Sequence, residues 1–145
     1  MKLAIMTLLL ALISVAGCAT GHHEKAKAPQ VDVAQPMPVA RLFFPTAGRA
    51  ARRDSASGIS ANARWMARNQ GEIMVLEGHC DERGSAEYNM ELGDRRARWV
   101  MGRIMDEGID PARLIVISRG ESRPADPGHG PRAWKKNRRV EFVRR

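Results

Sequence analysis

Residues 72–85 read EIMVLEGHCDERGS and decide the fold of this chain. The first half, residues 72–78, is apolar and contains β-branched side chains, which predicts a buried strand. The second half is polar and small, and it ends at Ser85, a residue type that favours the N-cap of a helix. A helix from about Ala86 to Glu107 follows, and Gly108 is placed to close it. The segment therefore predicts a strand, a loop and a long helix in direct succession.

The predicted helix has one apolar face and one solvent face. At 100° per residue, its apolar stripe consists of Gly93, Ala97, Val100 and Ile104. Asn89 and Arg96 fall on the flank of this stripe, whereas Arg95 and Arg98 point to solvent. The flank position predicts that Asn89 and Arg96 face the body of the domain.

Further elements lie on both sides of this unit. Residues 39–44 predict a strand that Pro45 ends, because proline has no N–H to donate to a sheet. The other predicted elements are a helix at 60–70 closed by Gly71, a strand at 113–118 after the Asp110-Pro111 turn, a loop, and a strand at 138–143. The order β-α-β-α-β-β predicts an α+β fold, a two-layer sandwich with helices on one face of a mixed four-stranded sheet.

The first residues have the pattern of a processing signal. Met1-Lys2 is basic and residues 3–15 are almost continuously apolar. About 13 residues are too few for a membrane span, which needs roughly 20. Residues 1–17 are therefore interpreted as a signal peptide that is cleaved off.

The end of this signal resembles the lipobox of bacterial lipoproteins. Val15-Ala16-Gly17 are an aliphatic and two small residues, and Cys18 supplies the thiol that is acylated. An ordinary signal peptide with a chance cysteine is the alternative. Ala19 replaces the aspartate that retains such proteins in the inner membrane, which favours the outer membrane. Residues 18–38, with three prolines and no apolar periodicity, are interpreted as the lipidated N-terminus and a flexible linker, and residues 39–145 as the folded domain.

The composition excludes several classes of protein. The 145 residues include 24 Lys and Arg against 16 Asp and Glu, a formal net charge of +8, and 43% are hydrophobic. About a hundred residues remain for one core, which excludes a multidomain enzyme. The pI of 10.5 suggests a nucleic-acid binder, but the predicted export argues against one. No nucleophile is paired with a base, and the adjacent His22-His23 lack metal-site spacing, so we expect no catalytic residue, metal or cofactor.

A larger set of motifs resembles the OmpA-like peptidoglycan-binding domain, especially that of the peptidoglycan-associated lipoproteins. The matching residues are Glu77-Gly78-His79, Asp81-Glu82-Arg83-Gly84, Glu87-Tyr88-Asn89, Leu92-Gly93, Arg95-Arg96-Ala97, Gly120-Glu121, Pro124 and Asn137-Arg138-Arg139-Val140. They extend over about residues 73–143, in the order and spacing of that family.

The resemblance implies non-covalent binding of the diaminopimelate-containing stem peptide of peptidoglycan. It implies that Asp81 binds the ammonium and Arg96 the carboxylate of the diaminopimelate side chain. Asp81 is an anion, and Arg96 offers a planar, bidentate fork that lysine lacks. Asn89 is a candidate hydrogen-bonding partner of the ligand, and Arg139 a candidate second cation. On a strand Arg138 and Arg139 point to opposite faces, and the sequence leaves open which one points inward.

Without the resemblance, simpler roles are open for these side chains. Asp81 would be a turn acceptor, Arg96 a solvated helix charge and Asn89 a helix-start residue. Four neighbours are expected to be structural. His79 would hydrogen-bond the loop, Cys80 would be a small packed thiol, Trp134 would cover the sheet or the loop, and Tyr88 would belong to the core or the pocket wall.

The first third of the domain departs from the family pattern. It carries Leu42-Phe43-Phe44-Pro45 and then Arg49, Arg52 and Arg53 where relatives have alternating Phe and Asp and a polar loop. No site residue is assigned there, and the departure leaves binding to TolB open. The sequence thus predicts a non-enzymatic outer-membrane lipoprotein facing the periplasm that tethers the membrane to peptidoglycan. Its further expected partners are TolB and other proteins of the Tol–Pal system, not nucleic acid. The alternative is a lipoprotein of the same fold that acts as a periplasmic protein-interaction module without wall binding.

Overall fold

The structure is a computed structural model that describes residues 36–46, 48 and 55–145. The predicted signal peptide, Cys18, most of the linker and Arg49, Arg52 and Arg53 lie outside the described residues. The strands are β1 (Arg41–Phe43), β2 (Met74–His79), β3 (Leu114–Gly120) and β4 (Arg139–Arg144). The helices are α1 (Ser55–Arg68), α2 (Ala86–Asp106) and α3 (Pro131–Asn137), and a 3-10 turn covers Pro111–Arg113.

The four strands form one mixed sheet in the order β1-β4-β2-β3. β2 and β3 are parallel, and β4 runs antiparallel to both β1 and β2. Helices α1 and α2 share one apolar core with the sheet, which confirms the predicted α+β class. That core includes Leu42, Ile59, Met66, Met74, Leu76, Ala97, Val100, Ile104, Val140 and Phe142.

Two helices differ from their predicted extent. Helix α1 begins five residues earlier than expected, where Gly58 lies against Val39 and Leu42. It also ends at Arg68, before Gly71, and the Arg113 guanidinium donates to the carbonyl of Met66 in its last turn and to that of Asn69 just after it. Helix α3 was not predicted at all; it is seven residues long and fills the expected loop between β3 and β4. Both differences arise from contacts between segments that are distant in the sequence.

Helix α2 has the predicted termini and lies directly on the sheet. The Ser85 hydroxyl accepts a hydrogen bond from the Tyr88 amide at 3.2 Å, and Gly108 takes a positive φ of 89° after the helix. Gly78 of β2 and Gly93 of α2 bring the two backbones together. A Cβ on Gly78 would lie 2.0 Å from the Gly93 carbonyl oxygen. This close approach fixes the position of α2 over the end of β2.

Strand residues alternate between the helix-covered side of the sheet and the opposite side, which we call the outer face. Glu77 is paired across the strands with Glu141, and His79 with Arg139. These side chains lie on the outer face together with Arg119, which bonds Glu77. The outer face is therefore charged near the end of β2, whereas the other side of the sheet is apolar.

Candidate ligand-binding site

A cleft of about 260 Å³ opens where β2 ends and α2 begins. Its position follows from the close packing of α2 on β2, which leaves the connecting loop to form the rim. The lining residues are Thr46, Cys80, Asp81, Arg83, Gly84, Tyr88, Asn89, Leu92, Arg96 and Arg138. The structure thus brings together three of the four predicted site residues, Asp81, Asn89 and Arg96.

Asp81 is the acid of the cleft, two residues beyond the end of β2. Its carboxylate is bonded by Arg83 Nη2 at 2.8 Å and by Arg138 Nη1 at 2.9 Å, both at Oδ2. Burial opposes ionisation of Asp81, but the hydrogen bonds from these two arginines outweigh it and lower its pKa. Asp81 also accepts from the Arg83 amide at 3.3 Å, so it has the role of a turn acceptor as well. The cleft therefore presents an ionised carboxylate between two cations.

Arg96 is fully buried beneath the cleft, which excludes the role of a solvated helix charge. Its Nη1 donates to the His79 carbonyl at 3.1 Å, and its Nε donates to the Gly48 carbonyl at 3.0 Å. Its Nη2 donates to the carbonyls of Pro45 and Thr46 at 3.1 and 3.2 Å. Burial lowers the pKa of Arg96 from its usual high value. This guanidinium ties the connection after β1 to the end of β2.

Asn89 is buried on the flank of α2 and holds the loop. Its Nδ2 lies 3.2 Å from the Asp81 carbonyl oxygen, 3.1 Å from that of Arg83 and 2.5 Å from Glu121 Oε2. These contacts fix the backbone of the loop at Asp81 and at Arg83. Asn89 therefore positions Asp81 through the backbone of the loop.

The structure does not bring Arg139 into the cleft. Arg139 points to the outer face, where its Nε donates to Glu141 Oε1 at 2.7 Å and its Nη2 donates to the Arg123 carbonyl. Arg138, which precedes β4, lines the cleft instead and donates to Asp81 and to the Phe44 carbonyl. The choice between the two depends on where β4 begins, and the sequence does not specify that point to within one residue.

Two side chains, Trp134 and His129, cover the loop between β2 and α2. The Arg83 guanidinium lies 4.2 Å from the centroid of the Trp134 ring. Trp134 Nε1 donates to Glu82 Oε1 at 2.8 Å, and His129 Nδ1 lies 2.6 Å from Glu82 Oε2. Trp134 covers the loop as predicted, and it holds Arg83 beside Asp81 from the side of α3. The role of Arg83 was missed, although a cation two residues after the acid was a usable signal.

The three remaining neighbours divide between the cleft and the outer face. Tyr88 is exposed and forms part of the pocket wall. Cys80 is a packed thiol as predicted, since its Sγ donates to the Asn89 carbonyl at 3.3 Å and burial raises its pKa. Neither ring nitrogen of His79 makes a hydrogen bond of ordinary geometry among the described residues, but the Arg123 backbone acts on its pKa through a hydrogen bond, so the expected loop contact is at most a weak one. Burial and the charge of Arg139 lower the pKa of His79 to about 4, so its ring is neutral at pH 7.

A second, larger cavity of about 640 Å³ lies between β1, the start of α1 and α3. Its floor is apolar and its rim is basic, with Arg132 and Lys135 among the rim residues. None of its lining residues is acidic. The smaller cleft, which combines an acid with cations, is therefore the better match for a ligand that carries both an ammonium and a carboxylate.

The mixed sheet and its helices define a domain of the α+β class with a charged cleft as its candidate binding site. The chain belongs to the OmpA family, whose model matches residues 49–138. The peptidoglycan-associated lipoprotein of Mesorhizobium japonicum is 33% identical over 148 residues, covering 94% of this chain and 88% of that protein. The protein of the same name from Pseudomonas aeruginosa is 49% identical over 75 residues, covering 52% of this chain and 45% of that one. The chain thus matches less than half the length of the Pseudomonas relative.

Solved structures have the same fold. The peptidoglycan-associated lipoprotein from Burkholderia pseudomallei superposes with a TM-score of 0.74 at 25% identity, covering 81% of this chain and all of that one. The C-terminal domain of Helicobacter pylori MotB gives a TM-score of 0.68 at 24% identity, covering 74% of this chain and 84% of that one. The curated relatives are peptidoglycan-associated lipoproteins, not enzymes, which agrees with the expected non-enzymatic role. Among the described residues, no helix has the length and apolar character needed to cross a membrane.

Proposed function

We propose that this protein is an outer-membrane lipoprotein that binds the diaminopimelate-containing stem peptide of peptidoglycan without forming a covalent bond. The observation that carries the proposal is the Asp81 carboxylate, ionised and 8% exposed, held between two arginines in a cleft above Arg96. A zwitterionic amino-acid centre needs an anion for its ammonium and cations for its carboxylate. The cleft offers both within a single small volume.

In this proposal the ammonium binds Asp81 and the carboxylate binds the guanidinium of Arg96. Arg96 donates to the backbone carbonyls of Pro45, Thr46 and Gly48, so the ligand has to replace some of these acceptors. A carboxylate carries a full negative charge and can bind the guanidinium fork bidentately, which a single neutral carbonyl cannot do. Arg138 takes the role of second cation that the resemblance implied for Arg139. Asn89 contributes by fixing the loop that carries Asp81.

The proposed location rests on the N-terminal sequence. Cleavage after Gly17 and acylation of Cys18 would anchor the protein in the outer membrane, facing the periplasm. Residues 18–38 would then serve as a tether with a flexible reach of about 25 Å between the membrane and the domain at 39–145. Many tethered copies beside a polymeric ligand would keep the wall attached even when single contacts are weak.

Binding to isolated sacculi tests the proposal. The soluble form, residues 19–145, is sedimented with diaminopimelate-type sacculi, alongside Asp81→Ala and Arg96→Lys variants whose fold is checked by circular dichroism. Asp94→Ala is the matched control, because Asp94 is also paired with an arginine but lies on the solvent side of α2. We expect the wild type and the control to pellet, and the two cleft variants to stay in solution.

One pattern of results would refute the cleft assignment. All four proteins could pellet alike and be released by about 0.5 M salt, at which the Debye length is about 4 Å. Binding would then be charge attraction alone. If none of them pellets although all are folded, the protein does not bind the wall. The protein-interaction module would then be the better description.

The relatives that carry the name peptidoglycan-associated lipoprotein also support a place in the Tol–Pal system. We infer that TolB and other Tol proteins are partners of this domain. Cross-linking in intact cells, followed by detection of TolB, tests this partner separately from wall binding. A cross-link that is present in the wild type and in Asp81→Ala would assign TolB to a surface outside the cleft.

A further inference from the structure

A second cluster of chemically active side chains lies on the outer face of the sheet, away from the cleft. Glu77 and Glu141 are directly opposite each other on β2 and β4, and His79 follows Glu77 on the same face. One donor atom from each of the three side chains lies within 4.8 Å of the other two, and His79 Nε2 is 3.8 Å from Glu77 Oε2. We propose that Glu77, His79 and Glu141 bind a divalent transition-metal ion such as zinc.

His79 provides the observation that points to a ligand. Its side chain is 2% exposed, yet neither ring nitrogen makes a hydrogen bond of ordinary geometry among the described residues, and the Arg123 backbone acts on its pKa through a hydrogen bond that falls outside that geometry. Buried polar groups are nearly always bonded, because leaving one unsatisfied costs about 1–3 kcal/mol. A metal ion would take the lone pair of Nε2, which lies on the side of the carboxylates, and the other ring nitrogen would keep its proton and face the Arg123 backbone. One imidazole and two carboxylates form a donor set that zinc accepts, with water completing the coordination.

The two carboxylates also need a cation between them. Like charges directly opposite on neighbouring strands destabilise a sheet. Arginines reduce this repulsion from the side. Arg119 binds Glu77 at Oε1, at 2.6 Å, and Arg139 and Arg41 bind Glu141 at Oε1, at 2.7 and 3.0 Å. All three arginines therefore use the Oε1 atoms and leave both Oε2 atoms for the metal.

The same arginines limit the strength of the site. They orient the carboxylates as outer partners of metal ligands do. Their three positive charges exceed the two negative charges of the carboxylates, so a dication is partly repelled. We therefore expect weaker binding than at closed, cysteine-rich zinc sites, and selectivity for zinc over magnesium because of the imidazole.

Titration of the full chain in detergent with zinc chloride tests the site. We expect one equivalent to bind and the ring nitrogen signals of His79 to shift in an NMR spectrum of the histidine side chains. Glu77→Gln and Glu141→Gln keep the shape of the side chain and should each weaken zinc binding by at least about tenfold. Glu72→Gln is the matched control, since Glu72 pairs with Arg144 outside the cluster and should leave zinc binding unchanged. Followed by calorimetry, the same titration with magnesium chloride should release no heat comparable to that of zinc binding.

Three results would overturn the proposal. One is the absence of zinc binding by the folded protein. Another is equal binding by the three glutamine variants. The third is a shift confined to the signals of His22, His23 or His129, which would place the bound zinc elsewhere on the chain. The melting temperature and the circular-dichroism spectrum of each variant are measured without zinc. Only variants that match the wild type in both are compared.

Discussion

Replacing Gly78 by alanine should separate α2 from the sheet. The new Cβ would lie 2.0 Å from the Gly93 carbonyl oxygen, whereas ordinary contacts begin at 3.4 Å. The difference means that β2 and α2 must move apart by about 1.4 Å, and the obstacle is backbone that no rotamer change can clear. Overpacking of this kind costs about 3 kcal/mol, the upper end of the usual range. For a domain of this size, that lowers the melting temperature by about 12 °C.

Urea and thermal unfolding measure this effect, with Gly102→Ala as the control. Gly102 lies in α2, the helix that Gly78 of β2 contacts, and a Cβ there would meet nothing within 4 Å. The same chemical change at Gly102 should therefore stabilise the helix by about 0.5–1 kcal/mol. If Gly78→Ala unfolds within about 0.5 kcal/mol of the wild type, the two backbones are not in contact and the packing described above is incorrect.

Three further predictions concern single side chains. Ser85→Ala removes the acceptor of the Tyr88 amide and should lower the free energy of unfolding by about 1 kcal/mol. Ser85→Asp retains an acceptor and should leave the free energy of unfolding unchanged. If both variants lose the same stability, Ser85 is not a helix cap. The buried Cys80 thiol, whose pKa is raised, should react with a disulfide reagent only as fast as the domain opens, and labelling faster than unfolding would contradict its burial. Because the pKa of Asp81 is lowered in the folded state, the stability that its ionised form contributes is complete above the ordinary carboxyl pKa. It is lost as the pH falls through the folded value. Acid titration of the wild type against Asp81→Asn should therefore show the gap in unfolding free energy closing with acidity, and a widening gap would be the contrary result.

The structure links the divergent region of the domain to its cleft. The sequence between β1 and α1 differs from the family pattern, and for that reason no site residue was assigned there. The described residues of this region nevertheless contribute backbone carbonyls to the site, since those of Pro45, Thr46 and Gly48 all accept from Arg96. A carbonyl is independent of the side chain, so the sequence of this connection can change without removing its contacts to Arg96.

The sequence by itself determined the elements whose signals are local. The strand at β2, the cap at Ser85 and the apolar stripe of α2 follow from periodicity and from residue types at adjacent positions. The same periodicity placed Asn89 and Arg96 on the side of α2 that faces the domain, where the structure has them buried. In each case the residues that determine the element are close to one another in the sequence, so the local sequence is enough to predict it.

Only the tertiary structure decided which distant groups meet. Three acceptors of Arg96 come from a connection about fifty residues away, and the pairing of Glu77 with Glu141 depends on the register of β2 against β4. The junction of α3 with β4 sends Arg138 to the cleft and Arg139 to the outer face, because a shift of one residue on a strand reverses the face. Register and helix packing are set by the whole core, and no local pattern encodes them.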